Sequence, residues 1–401
     1  MTDARILQLL LSSLGQEALA AAHAENPAET DFLPLYQRLS RRFPAELARA
    51  AIDQVLLRER ARAKFSNPQC MYFTRQALEQ ATPEPVAIYR ATRLTDFPLL
   101  FDLGCGIGGD TLSLAQTAPV VAVDQDRLRL LLLKANARGL GIEDRIKPVC
   151  GNLLKPAWWF PDKTAVFFDP SRRAGARRRV SVKDYRPPLH SVLTQLESLD
   201  AVAVKVSPAV AWDEIDALDC EIEFVSLNSE LKEATLWFRA LMTARRRATI
   251  LPGPHSLTGL QEPDLDVVPP QRYLYEPDPA ILRARLVRTL GAQLNASLID
   301  MTISLLTTNK LLFTPFARTY RVLEVLPFGL KRLRAVLRAR DVGTVTLKKR
   351  GSAVDTSLFL RQLKLRGENQ AIVLLTRVRR RHVSILMEQV HEPEVFVSGM
   401  T

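Results

Sequence analysis

The sequence predicts an α/β protein in three parts: a helical N-terminal region at residues 1–80, a central domain at 81–245 built on a parallel sheet, and a basic α+β domain at 280–401. Three observations carry this reading. Apolar residues of the first part recur at helical spacing, as in Ile6, Leu9, Leu10 and Leu14, and are interrupted at Pro27, Pro34, Pro44 and Pro68. Between 94 and 239, short apolar runs alternate with helical segments, the signature of parallel strands joined by crossover helices. A stretch rich in Pro, Gly and Asp at 251–279 has linker composition and places a boundary at 246–279, beyond which helical and strand-like segments alternate again.

Taken in order, the central strands are expected at 98–103, 120–123, 146–150, 165–168 and 201–206. Further apolar runs lie at 222–227 and 234–241, the last pairing antiparallel. In the third part the pattern predicts a helix at 280–294, a strand at 319–326, a basic helix at 329–340 and a strand at 343–348. A helix at 357–365 and strands at 371–378 and 382–388 complete it.

Composition narrows the classes. With 401 residues, 47% of them hydrophobic and 24% charged, the chain can bury more than one core. No apolar run approaches the roughly 20 residues needed to span a bilayer. The opening residues Met1, Thr2, Asp3, Ala4 and Arg5 lack a secretory pattern, so a cytoplasmic protein is expected. Cys70, Cys105, Cys150 and Cys220 form no close pair and read as reduced thiols, and the five histidines show no metal-ligand spacing. The formal charge of +12 is concentrated: 310–381 holds 18 Lys/Arg against 4 Asp/Glu, a local excess of +14 that leaves the remainder at −2. Such a field favours a polyanion, usually nucleic acid. On the basic helix, Lys331, Arg334 and Arg338 share one face while Leu330, Leu333 and Leu337 share another, which fits phosphates of a structured RNA.

The run DLGCGIGGD from Asp102 to Asp110 follows an apolar strand and precedes a helix, a cofactor-binding context. Gly104, Gly106, Gly108 and Gly109 let the backbone turn sharply and approach a ligand closely. Gly104, Gly106 and Gly109 also satisfy the dinucleotide pattern, with Asp124 lying 20 residues past Gly104, so a nicotinamide or flavin nucleotide competes. Asp102 favours S-adenosylmethionine, because a carboxylate two residues before the first glycine suits a cationic amino-acid moiety and repels a pyrophosphate. Asp124, at the end of the second strand, can accept ribose hydroxyls, and Asn152 can reach the adenine amine. Cys105 falls on the cofactor side of this loop.

Asp169 follows the apolar run 165–168, at the carboxyl edge where ligands of open α/β sheets bind. Methyl transfer is an in-line displacement, so the protein must orient a nucleophile and accept its proton; Asp169 can do both for an amine. Arg172 and Arg173 just after it can hold phosphates. No thiol is assigned to this edge, which makes nitrogen or oxygen the expected acceptor.

The Gly104 loop, Asp124, Asn152 and the pair Asp169 and Pro170 together resemble the cofactor and catalytic motifs of class I, Rossmann-like S-adenosylmethionine-dependent methyltransferases. The resemblance implies that Asp169 and Pro170 form the catalytic motif. The segment ATPEPVA at 81–87 with the glycine loop is similar to trimethylguanosine synthase-like enzymes, which implies a cofactor contact from Thr82. That family carries Pro-Pro-Trp where this chain has Asp169, Pro170 and Ser171, so the guanine-stacking aromatic is not carried over. The region 273–390, with PFARTYR at 315–321 and QLKLRG at 362–367, resembles THUMP-like domains, which implies an RNA substrate such as transfer or ribosomal RNA. A second reading keeps the same fold as a noncatalytic RNA-binding protein.

Overall fold

The computed structural model describes residues 3–152, 159–170, 173–174, 177–178 and 181–392. It divides into two compact units, Met1–Ile222 with Glu233–Thr243, and Glu223–Lys232 with Ala244–Thr401.

In the first unit, helices α1 (Ala4–Leu11), α2 (Ser13–Ala24), α3 (Phe32–Leu39) and α4 (Ala45–Ala61) come first, followed by α5 (Arg75–Gln80) and α6 (Glu84–Thr92). Asp3 begins α1 by accepting the Ile6 amide at 2.8 Å, and Ser12 begins α2 by accepting that of Gly15 at 3.2 Å. The buried faces of these helices, including Leu7, Leu10, Leu47 and Ile52, share one core with Leu114, Ala122, Leu133 and Ala203 of the sheet region. The helices at 1–80 are therefore packed into this unit and are not a separate body.

Two buried amides anchor the segment just before α5. Gln54 brackets Phe73, accepting its N–H at 3.0 Å and donating to its C=O at 2.6 Å. Asn136 accepts the Tyr72 N–H at 2.6 Å and donates to the carbonyls of Tyr72 and Ile107 at 3.3 and 3.1 Å, reaching the glycine loop. Removing either amide would orphan buried backbone groups at a cost of about 1–3 kcal/mol each.

The strands are β1 (Leu99–Leu103), β2 (Val120–Asp124), β3 (Ile146–Cys150), β4 (Thr164–Phe168), β5 (Ala201–Val206), β6 (Glu221–Leu227) and β7 (Glu230–Arg239). The first unit orders its strands 3-2-1-4-5-7, parallel up to β5 and antiparallel from β5 to β7. Helices α7 (Thr111–Thr117) and α8 (Arg127–Gly139) follow β1 and β2, and α9 (Leu189–Gln195) precedes β5. The order reverses between β1 and β4, opening a crevice at their carboxyl ends.

In the second unit the expected linker is structured. Residues of β8 (Arg246–Leu251) and β9 (His255–Gly259) pair antiparallel, and β10 (Tyr273–Pro277) joins a larger sheet. Proline at 252 and 254 suits the turn between β8 and β9, so the same composition that marks a linker here marks a hairpin. The expected helix at 280–294 is two, α10 (Pro279–Arg283) and α11 (Val287–Gln293), split where Arg285 takes a φ of 55°. Strands β11 (Ser297–Asp300), β12 (Ile303–Thr308), β13 (Ala317–Pro327), β14 (Val342–Lys349), β15 (Asn369–Val378) and β16 (Arg381–Val390) complete a seven-stranded sheet. Its order is 11-12-10-13-16-15-14. Leu333 and Leu337 of α12 (Leu330–Ala339) and Phe359 and Leu363 of α13 (Thr356–Leu363) pack in one core with Leu326, Val373, Leu375 and Leu386. Among the described residues no helix is long and apolar enough to cross a membrane, and no cluster of three metal-ligating side chains occurs.

Candidate active site

β1 delivers Asp102 to the crevice and then has to pass beneath the end of β4. Gly104 makes this possible: its φ is 90°, and a Cβ there would lie 2.5 Å from the Asp169 carbonyl oxygen. The Gly106 amide donates to Asp124 Oδ2 at 3.0 Å, while Asp124 Oδ1 accepts the Asp126 amide at 2.8 Å, fixing the carboxylate that ends β2. Asp126 itself caps α8, accepting from Leu128 and Arg129.

The result is a cavity of about 890 Å³ lined by Thr82, Asp102, Gly104, Cys105, Gly106, Asp124, Asn152, Asp169 and Pro170. Lys183, Tyr185 and Arg186, on the segment before α9, line it too. Gly108 does not. A Cβ on it would meet Leu133 Cδ1 at 2.5 Å, so this glycine, at a φ of 97°, lets the loop pack on α8 and touches no ligand space. The expectation that Gly108 binds cofactor is corrected accordingly.

The charges of the site are arranged as a network. Asp102 is fully buried; one oxygen accepts Thr111 Oγ1 at 2.5 Å, and the other has no hydrogen-bond partner among the described residues. Burial, before anything else, pushes its carboxyl up to about 7; Asp169 adds to the rise, while the Thr111 hydrogen bond, Arg90 and Lys205 oppose it. Arg90, 1% exposed, pairs with Asp110 and Glu233 and lies over the Phe167 ring at 4.4 Å. Thr82 donates to Asp110 at 2.6 Å, and Lys205 donates to Thr82 at 2.6 Å and to Asp169 at 2.8 Å. Four carboxylates, those of Asp102, Asp110, Asp169 and Glu233, thus stand against the two cations Arg90 and Lys205. Burial, with Asp102 and Asp124 beside it, holds the Cys105 thiol well above its ordinary value, so it stays protonated and is no nucleophile.

Arg90, Thr111 and Glu233 were not anticipated from sequence as parts of the site, and Lys205, read as a strand-end lysine able to line the crevice, was left outside it. Two of them carry a readable signal. Lys205 stands in AVAVKV, an otherwise apolar buried strand, where a cation requires partners. Arg90 falls with Val86, Ala87 and Ala91 on the apolar face of α6. Arg172 and the side chain of Arg173 lie outside the described residues. In the second unit, Arg334 and Arg338 of α12 donate to the carbonyls of Gln362 and Lys364 at 2.6 and 3.0 Å. Those two guanidinium groups tie the end of α13 to α12, so the cationic face is partly structural; Lys331 is exposed.

A parallel sheet with this strand order, a glycine turn after β1 and carboxylates ending β1 and β2 defines a class I, Rossmann-like methyltransferase with S-adenosylmethionine as its cofactor. Residues 98–208 match the RNA cap guanine-N2 methyltransferase family, 317–389 match the THUMP domain-like family, and 3–61 match a domain of unknown function. The chain belongs to the S-adenosylmethionine-dependent methyltransferases. Two uncharacterised members from Mycobacterium tuberculosis, strains CDC 1551 / Oshkosh and ATCC 25618 / H37Rv, are each 35% identical over 339 residues, 82% of this chain and 92% of theirs. Trimethylguanosine synthase of Schizosaccharomyces pombe is 27% identical over 169 residues, 39% of this chain and 64% of that one. The fold is shared with a crystal structure from Porphyromonas gingivalis W83 described as a candidate methyltransferase: TM-score 0.73 and 19% identity, covering 94% of this chain and 99% of that one.

Proposed function

We propose that this chain methylates a nitrogen or oxygen of a structured RNA, of the transfer or ribosomal class. The observation that carries the reading is the convergence of Asp102, Asp124 and Asp169 on one cavity, where with Glu79, Asp110, Asp126 and Asp184 they outnumber the cations Arg129, Lys183 and Arg186. A net negative pocket favours a cationic ligand and disfavours a nucleotide pyrophosphate. The unpartnered buried oxygen of Asp102 fits the cofactor's ammonium group, Asp124 its ribose hydroxyls and Asn152 its adenine amine. Gly104 and Gly106 allow close backbone approach, with Cys105 and Thr82 beside them.

When bound, the cofactor supplies an electrophilic methyl group on a sulfonium. Asp169 accepts the N–H or O–H of the acceptor, orients its lone pair and takes its proton, and Pro170 holds the backbone that aims this carboxylate. Lys183 and Arg186 on the same cavity, with Arg172 and Arg173, are suited to the phosphates flanking the acceptor. The positive excess of 310–381 supports binding of a polyanion, with Lys331 exposed for phosphates. Arg334 and Arg338 contribute there with the donors their helix contacts leave over, since a guanidinium carries five.

The test is transfer of labelled methyl from S-adenosylmethionine to total RNA from cells lacking the gene, with Asp169→Asn alongside. Label in RNA that the substitution abolishes supports the reading. Label entering only protein or small molecules refutes an RNA substrate, and an RNA complex that forms without any transfer marks a noncatalytic binder.

A further inference from the structure

Lys205 is 4% exposed, sits near the end of β5 and does not line the cavity. A buried ammonium is costly unless all its N–H groups are engaged. Here Lys205 donates two hydrogen bonds, to Thr82 Oγ1 at 2.6 Å and Asp169 Oδ2 at 2.8 Å, and the charge of Asp110 Oδ2 lies 3.6 Å away. These three partners come from three separate walls, the segment before α6, the end of β4 and the start of α7. Thr82 accepts from Lys205 and passes its own proton to Asp110, so the direction of each hydrogen bond is set.

We propose that Lys205 is the positioning residue of the methyl-transfer site, clamping one oxygen of Asp169 so that the other alone meets the methyl acceptor. The proposal rests on the reading that Asp169 receives the acceptor's proton. A carboxylate held by one oxygen loses its rotational freedom. Charged groups on the same cavity include Asp102 from β1, Asp110 from the start of α7, Asp124 at the end of β2, Arg129 of α8, and Lys183, Asp184 and Arg186 on the segment before α9. Arg90 of α6 and Glu233 of β7 extend the same network. Lys205 also opposes the rise in the Asp102 carboxyl, so its charge is felt on both sides of the crevice.

The experiment compares the full-length protein with Lys205→Met and Lys205→Arg, measuring kcat, KM for RNA, cofactor Kd and the pH–rate profile. In Lys205→Met, kcat is expected to fall about 100-fold. RNA KM should move by no more than about threefold. The acidic limb of the profile should move upward, because the variant removes the cation 2.8 Å from Asp169 Oδ2. Lys205→Arg, which keeps the charge, returns the limb to the wild-type position. A kcat near wild type with an unmoved limb in Lys205→Met overturns the proposal, as does a loss that tracks thermal stability alone. If Lys205→Met fails to fold, a displaced limb in Lys205→Arg overturns it instead. Should the wild type transfer nothing to RNA, carbon-13 titration of the Asp169 carboxyl in the unliganded protein decides: a higher midpoint in Lys205→Met supports the clamp, and an unchanged one removes it. Asp169→Asn at wild-type rate would sink the site reading itself, whereas an inactive Asp169→Asn beside an unaffected Lys205→Met sinks only the role of Lys205.

Discussion

Replacing Asp102 with asparagine should stabilise the cofactor-free protein and weaken its cofactor in the same step. The carboxyl is fully buried, and burial lifts it from 3.8 to about 7. The folded state therefore holds this proton more tightly than the unfolded chain does. Between those two pH values folding takes up a proton, so stability falls as pH rises and the loss is complete above about 7. At about 1.36 kcal/mol per pH unit the penalty approaches 4 kcal/mol. Asparagine carries no charge and can keep the Thr111 hydrogen bond, but its amide nitrogen replaces an oxygen that has no partner. An unsatisfied buried amide costs about 1–3 kcal/mol, leaving a net gain of about 1–3 kcal/mol at pH 8 and a net loss near pH 4, where the charge penalty has gone. The lost charge-assisted hydrogen bond to the cofactor's ammonium is worth about 1.5–3 kcal/mol, a 10- to 150-fold weaker Kd. Calorimetric titration with S-adenosylmethionine from pH 5.5 to 8, paired with thermal denaturation of the cofactor-free proteins, measures both. Wild-type affinity should rise with pH towards 7 while the variant's stays flat. Titrations common to both proteins cancel in the difference. Equal affinity of the two proteins, or a variant that is the less stable at pH 8, would refute the reasoning.

Gly104→Ala should abolish methyl transfer and lower the melting temperature markedly, because its methyl would sit 2.5 Å from the Asp169 carbonyl at a φ of 90°. Gly106→Ala, with no atom within 4 Å, should cost only about 1–2 kcal/mol of stability by thermal denaturation while weakening cofactor Kd, since its methyl enters the cavity. Asp124→Asn should weaken the cofactor about 10-fold with kcat at saturation retained, measured by steady-state kinetics. Lys331→Ala should reduce the salt dependence of RNA affinity by a slope of about 1 with no change in melting temperature. Arg334→Ala should lower the melting temperature through loss of its bond to Gln362.

The strands of the first unit were legible because each is a short apolar run ended by a turn residue, and the expected and observed bounds of β1 to β5 differ by a residue or less. Asp102, Asp124 and Asp169 were legible because strand ends converge wherever a parallel sheet reverses its order. The hairpin of β8 and β9 was not. Its prolines and Gly253 read as a linker, and pairing between strands is a long-range event that local composition does not report. Gly108 misled for a related reason: a loop glycine can make room for a ligand or for a neighbouring helix, and only the position of Leu133 decides between them. The charge network escaped because Arg90, Asp110, Lys205 and Glu233 lie up to 143 residues apart, and ion pairing across such distances has no sequence period.

The N-terminal helices belong to the same physical account. Lys64 donates to the carbonyls of Leu78, Glu79 and Ala81 at 2.8, 3.0 and 2.8 Å, closing the end of α5 immediately before Thr82. Gln54 and Asn136 lock residues 72–73 and, through Ile107, the glycine loop. The cavity wall formed by Thr82 and the loop is thus braced by Gln54 of α4, Lys64 just after it and Asn136 of α8, none of which lines the cavity. A site with more buried carboxylates than cations repels itself when empty, so it needs this external bracing to keep its geometry before a cationic ligand arrives. The 1–80 region thus braces the site: its removal would leave the Asp110 and Thr82 wall unsupported and would take Ala77, Glu79 and Gln80 from the cavity lining.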